Sequence, residues 1–260
     1  MSLQKEAEEN TAKLRRVFQM LLEEENEKGD IGVTSFKTVY DELMEEQQQK
    51  LREITGEHFE DLYESGSIIC IGVSYQDPFI DHISVMKNGE VDYALWNRYS
   101  REYDRINQVL NRMAPAIASR FRGISLKATI GGNVGNVGHV WEYWPMVVSH
   151  RVVAENAGLG WRGKNQLIIH ERFSCAIRFA SIITNVPLLH GKRMESMCGD
   201  CTACEDICGF IRHRDILPDY RENCHRYIKF LMSKGIENDI CGKCIKACYQ
   251  DSKFRNLFSL

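Results

Sequence analysis

The sequence predicts an α+β fold with three parts. A helical N-terminal segment covers residues 1–65, an α/β core with a mixed sheet covers 66–190, and a cysteine-rich C-terminal module covers 191–260. Three observations carry this. Apolar residues recur at helical spacing through the first 65 residues. Short apolar runs then alternate with helical stretches, and eight of the ten cysteines lie beyond residue 197.

A chain of 260 residues is long enough for a substantial core, as one large domain or two smaller ones. Its hydrophobic fraction of 43% and charged fraction of 27% are those of an ordinary globular protein. No apolar run approaches the roughly 18 residues of a membrane span, and the opening MSLQKEAEEN is polar, unlike a signal peptide. The expectation is a cytoplasmic protein whose thiols stay reduced, so ten cysteines point to metal ligation more than to disulfides. The net charge of −3 hides an asymmetry: residues 1–65 hold 17 acidic and 8 basic side chains, and the rest holds 19 and 25. A mildly basic body suits an anionic partner only weakly.

Leu14, Val17, Phe18, Leu21 and Leu22 mark the buried stripe of a first helix. Gly29-Asp30 interrupts it, and Thr34-Ser35 can cap a second helix that carries Phe36, Val39, Tyr40 and Leu43 on one face. SIICIGVSY, from Ser67, reads as a buried strand, and Asn88-Gly89 between alternating segments signals a hairpin. Residues 98–121 return to helical spacing, with Ile106, Val109, Leu110, Met113 and Ile117 inward and Arg98, Arg101, Arg105 and Arg112 on another face. That stripe suits nucleic-acid phosphates or a nucleotide tail, although helical charge runs usually mark a solvated face. ISLKATI reads as a strand. GGNVGNVG at 131–138 lacks the G-x-G-x-x-G order, so it reads as a loop that at most lines a cofactor pocket. WPMVVSHRVVAENAG reads as a helix ending at Gly158, and LIIH and AIRFASIITNV as strands.

The C-terminal module holds Cys198, Cys201, Cys204 and Cys208, then Cys224, then Cys241, Cys244 and Cys248. The C-x2-C-x2-C-x3-C run has the spacing of bacterial ferredoxins, in which three thiolates of one loop reach one cluster and the fourth ligates the other. That rule predicts a ferredoxin-like double [4Fe-4S] module, with Cys198, Cys201, Cys204 and Cys248 on one cluster. Cys208, Cys224, Cys241 and Cys244 would hold the second. Two features depart from the ferredoxin pattern: Gly209 follows the fourth cysteine where proline is usual, and sixteen residues separate Cys224 from Cys241. Zinc is the rival, because C-x2-C pairs also build four-thiolate ribbons, though these need no third and fourth cysteine at this spacing. Cys70 and Cys175 lie in apolar, strand-like segments and read as core thiols.

Just before the cysteines stands AENAGLGWRGKNQLII. Gly158, Gly160 and Gly163 would let the backbone turn sharply and approach a ligand. Trp161 can wall a pocket, and Lys164 and Asn165 offer polar contacts. By itself this is only a helix-to-strand turn. AGLGWRGKN followed by CGDCTACEDIC, a single cysteine and CGKCIKAC resembles epoxyqueuosine reductase over roughly residues 93–250. That family performs the last step of queuosine biosynthesis in tRNA, is related to the reductive dehalogenases, and combines a corrinoid with two [4Fe-4S] clusters. The resemblance implies electrons from an external low-potential donor of ferredoxin or flavodoxin type, passing through the clusters to cobalamin bound near AGLGW. It also implies a substrate that is small or tRNA-borne. The family's repeat-like C-terminal extension, implicated in tRNA binding, has no counterpart in this sequence.

The resemblance breaks at one place. In the family a carboxylate upstream of AGLGW donates a proton, and ungapped alignment puts Trp144 there, with His150-Arg151 replacing a glutamate-arginine pair. Tyr143, Glu142 and His150 stand nearby as candidate proton donors, Tyr143 because the dehalogenase relatives use a tyrosine. Three functions follow: an iron–sulfur and corrinoid-dependent reductase, an electron-transfer protein or corrinoid-reducing partner without its own substrate, and a structural zinc protein.

Overall fold

The structure is a computed structural model that describes residues 2–129 and 133–250. Gly131 and Gly132 of the glycine-rich stretch therefore lie outside the described residues. The chain opens with α1 (Leu3–Glu25), whose N-cap Ser2 hydroxyl accepts from the Lys5 amide. Its predicted stripe, Leu14 to Leu22, is buried. Residues 29–35, read from the sequence as a break between two helices, form a strand, β1 (Gly29–Ser35). The first 65 residues are therefore not wholly helical. Four of the seven residues of this strand are buried, and its apolar residues Ile31 and Val33 share one face. There follow α2 (Phe36–Glu42), α3 (Glu45–Thr55) and α4 (Phe59–Ser65), then β2 (Ser67–Ser74), buried at every position, and α5 (Asp77–Asp81).

Asn88 and Gly89, with φ of 52° and 84°, make the hairpin turn expected of Asn-Gly between β3 (Met86–Lys87) and β4 (Glu90–Val91). The strands are shorter than the alternation suggests, because Asp92 caps a long helix, α6 (Tyr93–Arg120), by accepting from the Leu95 amide at 2.8 Å. Beyond it lie β5 (Ile124–Leu126), α7 (Asn133–Asn136), a 3-10 turn over Val140–Met146, and α8 (His150–Asn156). The single helix expected from Trp144 to Gly158 is thus split: Pro145 lies in the 3-10 turn, and the α-helix starts only at His150. β6 (Trp161–Arg162), β7 (Ile168–Ile169) and β8 (Ile177–Thr184) precede the cysteine module, which holds α9 (Ala203–Ile207), α10 (Gly209–Arg212), α11 (Tyr220–Ser233) and α12 (Lys243–Gln250).

The central sheet has the order β1-β2-β8-β5. Every described pairing in it is antiparallel, which corrects the expected mixed sheet. The expectation failed because runs buried on both faces usually signal parallel strands between helices. Here an antiparallel sheet is covered on both sides. Ile69, Ile71, Val73, Ala180 and Ile182 face α1 and α6; Ile68, Cys70, Phe179 and Ile183 face α2, α4 and α8.

The N-terminal half of α6 anchors the cysteine module. Trp96 Nε1 donates to the Cys241 carbonyl at 2.9 Å, Asn97 Nδ2 to the Gly235 carbonyl at 2.7 Å, and the Asn238 amide to Ser100 Oγ at 3.0 Å. Buried polar groups need such partners, and each bond fixes the loop that presents Cys241 and Cys244.

Candidate functional site

The two halves of the sequence argument meet in one cavity. Cys198, Cys201, Cys204 and Cys248 line it together with Ala203, Ile169, Lys164 and Asn165. The four sulfurs are those that the ferredoxin rule assigns to one cluster. Cys198 and Cys201 come from the loop leading into α9, Cys204 from α9 itself, and Cys248 from α12, which packs against α9. Burial pushes the Cys204 thiol up to about 11, and the neighbouring Cys248, Glu205, Cys198 and Cys201 add to it. A metal centre reverses this, because coordination deprotonates the thiol.

The second set is grouped in the same way. Burial raises Cys224 to about 12, with Cys241 and Cys208 contributing, and raises Cys241 to about 11, with Cys208 contributing. Cys244 is pushed up by burial and by Cys241, Cys224, Cys208 and then Cys204. Cys208, Cys224, Cys241 and Cys244 therefore lie within electrostatic reach of one another, and Cys204 links that group to the first. Among the described residues, no group of three or more His, Cys, Asp or Glu side chains is placed to hold a single metal ion. A tetrahedral zinc needs all four sulfurs about 2.3 Å from one centre; a four-iron cluster spreads them over its corners. Four thiols gathered in one cavity are the kind of donor set that ligates an iron–sulfur cluster.

The AGLGWRGKN residues are placed differently from their sequence reading. A Cβ on Gly158 would lie 2.6 Å from the Lys192 carbonyl oxygen, and one on Gly160 2.2 Å from that of Ile169. Both residues have positive φ, 74° and 143°. A Cβ on Gly163 would meet the Ile169 side chain at 2.7 Å. In this structure these glycines let the backbone approach the chain itself closely. Trp161 is buried in the core, and Asn165 Oδ1 accepts from the Leu167 amide at 3.1 Å. Lys164 donates to the Cys201 carbonyl at 2.8 Å and pairs with Glu205. The motif thus braces the first cysteine cavity.

The proton-donor candidates separate. His150 is buried, with Nδ1 2.8 Å from Ser181 Oγ and Nε2 2.8 Å from the Lys127 carbonyl. Burial brings its pKa down to about 4, so the ring is neutral and both nitrogens are engaged inside the fold. These are the surroundings of a histidine held inside the fold. Tyr143 is half-buried in the 3-10 turn, where burial raises its phenol while a hydrogen bond with Thr129 and the charges of Arg178 and Arg151 oppose the rise. The Glu142 carboxylate accepts from the amides of Gly138 and His139, which ties it to its own turn.

The arginine stripe of α6 clamps the molecule. Arg112 makes a two-pronged pair with Glu25 of α1, Arg101 with Glu237 of the cysteine module, and Arg105 with Glu102 and Glu27. Sequence reasoning missed the role of Trp96, Asn97 and Ser100, whose signal was only their place on an otherwise apolar face. It also missed Ser174 Oγ, which donates to Cys248 Sγ at 3.2 Å.

No family model matches the chain. Among curated proteins it is similar to epoxyqueuosine reductase of Bacillus cereus, at 48% identity over 61 residues, 24% of this chain and 16% of that protein. That of Leadbetterella byssophila is 31% identical over 99 residues, 37% of this chain and 32% of the relative. That of Escherichia coli is 22% identical over 165 residues, 63% of this chain and 39% of the relative. The matched stretches thus span well under half of these relatives' length. Among solved structures, a selenomethionine-labelled epoxyqueuosine reductase superposes with a TM-score of 0.51 at 22% identity, over 94% of this chain and 66% of that one. The enzyme from Streptococcus thermophilus gives 0.50 at 19% identity, over 93% and 66%. At these identities the structures speak for the fold. Local sequence similarity and shared fold agree: the chain is similar to epoxyqueuosine reductases over part of their length.

Proposed function

We propose that the chain is an iron–sulfur oxidoreductase of the epoxyqueuosine reductase type, drawing electrons from an external low-potential donor and acting on a small or tRNA-borne substrate. The observation that carries this reading is the single cavity lined by Cys198, Cys201, Cys204 and Cys248, with Lys164 and Asn165 of the AGLGWRGKN motif in its wall. The two [4Fe-4S] clusters would supply low-potential one-electron transfer when bound. Cys208, Cys224, Cys241 and Cys244 would hold the second cluster, and Trp96 and Asn97 would fix its loop through the Cys241 and Gly235 carbonyls. Tyr143 keeps its proton at neutral pH, with Arg151 nearby, and is the group we assign to proton donation.

A second reading is favoured by the inward packing of Gly158, Gly160 and Trp161. Here the chain is an electron-transfer protein or corrinoid-reducing partner without its own substrate. Cobalamin binding separates the two. The test is anaerobic cluster reconstitution followed by cobalamin titration, read by EPR of the cobalt(II) form. A base-off signal saturating at one corrinoid per chain supports the reductase; full iron without corrinoid binding overturns it in favour of the carrier.

A further inference from the structure

Cys248 differs from the other seven tail cysteines in what surrounds its sulfur. Ser174 Oγ donates to it at 3.2 Å, and the amide and thiol of Cys175 face the same atom. Both residues are buried, at 5% and 3% exposure. Ser174 holds a positive φ of 50°, a conformation that costs a non-glycine residue energy and persists only where its surroundings enforce it. The surroundings are visible. The His170 amide donates to the Ser174 carbonyl at 2.8 Å, the Arg172 amide to His170 Nδ1 at 3.0 Å, and His170 Nε2 stands 3.1 Å from Asp30 Oδ2. Asn165 Nδ2, from the glycine-tryptophan motif, reaches Cys175 Sγ at 3.6 Å. The turn is therefore tied to β1 at one end and to the cysteine cavity at the other.

We propose that Ser174 is a positioning residue which, through its hydrogen bond to Cys248 Sγ, raises the reduction potential of the cluster held by Cys198, Cys201, Cys204 and Cys248. The proposal rests on the cluster reading above. Reduction adds one electron from the donor, so negative charge on the ligating sulfurs grows. A donor aimed at one of those sulfurs stabilises the reduced state more than the oxidised state. Hydrogen bonds to cluster sulfurs are one of the terms that set these potentials. Ser174 Oγ donates to Cys248, a member of the first set, so the effect belongs to that cluster.

The test is Ser174→Gly. Glycine adopts positive φ freely, so this variant removes the hydroxyl and relieves the backbone. Ser174→Ala removes the same hydroxyl and keeps the Cβ. Both reconstituted chains and the wild type are titrated with dithionite under EPR. The expected result is that one of two midpoint potentials falls in both variants, reduction becoming about tenfold less favourable, or about 59 mV for one electron, while the other stays. Wild-type iron content in both variants with neither potential moved overturns the proposal and leaves the cluster reading intact. A wild-type chain that takes up no iron overturns both.

Discussion

At the scale of single residues, His150 sets a pH dependence whose sign follows from its burial. Its folded pKa, about 4, lies below the ordinary 6.5. As pH falls the unfolded chain takes up the proton first, so stability is complete above 6.5 and is lost between 6.5 and 4. The loss over that window amounts to about 3 kcal/mol. Urea unfolding at pH 7.5 and pH 4.5 should show this slope in the wild type and a shallower one in His150→Gln. Gly160 gives a second expectation. Its φ of 143° and the Ile169 carbonyl 2.2 Å from any Cβ leave alanine no place. Gly160→Ala should destabilise the chain by at least about 2 kcal/mol in the same assay. The sequence marked both residues as special without fixing their surroundings. A histidine before a helix looks the same whether its ring faces a cleft or a sheet, and only the partners Ser181 and Lys127 decide. A glycine that turns toward its own chain looks the same in sequence as one that turns toward a ligand.

At the scale of elements, β1 shows how a strand hides in a helical neighbourhood. Its seven residues, GDIGVTS, sit between two strongly helical patterns and contain two glycines, which weaken any strand signal. Pairing with β2 from Gly29↔Val73 to Ser35↔Ser67 overrides that local preference. The helices were legible because their buried stripes are long: Leu14 to Leu22 in α1 and Ile106 to Ile117 in α6 are buried as their spacing requires. The two are joined by both kinds of force, and the forces are unequal. Leu14 is 1% exposed in the core that α1 shares with α6, so Leu14→Ala should cost about 2–5 kcal/mol. The Arg112–Glu25 pair is largely solvent-exposed on the arginine side, so Arg112→Ala should cost less than about 1 kcal/mol. Thermal melts of the two variants compare them directly. Similar losses from both would mean that the ion pair, not the apolar stripe, docks the helix.

At the scale of the whole molecule, the sheet and its two helical layers form a platform, and the cysteine module is fastened to one end of it by α6 and by the AGLGWRGKN turn. The grouping of the first tail cysteines was legible because their spacing is a local property: a short loop and the first turn of α9 bring Cys198, Cys201 and Cys204 together whatever the rest of the chain does. The arrival of Cys248 from α12 in the same cavity is a long-range fact that only the ferredoxin analogy anticipated. Strand direction was not legible, because burial on both faces gives the same apolar run in parallel and antiparallel sheets. Among the described residues, no helix is long and apolar enough to cross a membrane.

The central proposal is that the eight tail cysteines would hold two four-iron clusters with the division given above. Iron and acid-labile sulfide counted after anaerobic reconstitution, in the wild type and in Cys224→Ser, test it most directly. The expected result is about eight irons and eight sulfides per wild-type chain, and about four of each in the variant. Stoichiometric zinc without sulfide in the wild type, or an unchanged iron count in Cys224→Ser, would contradict it.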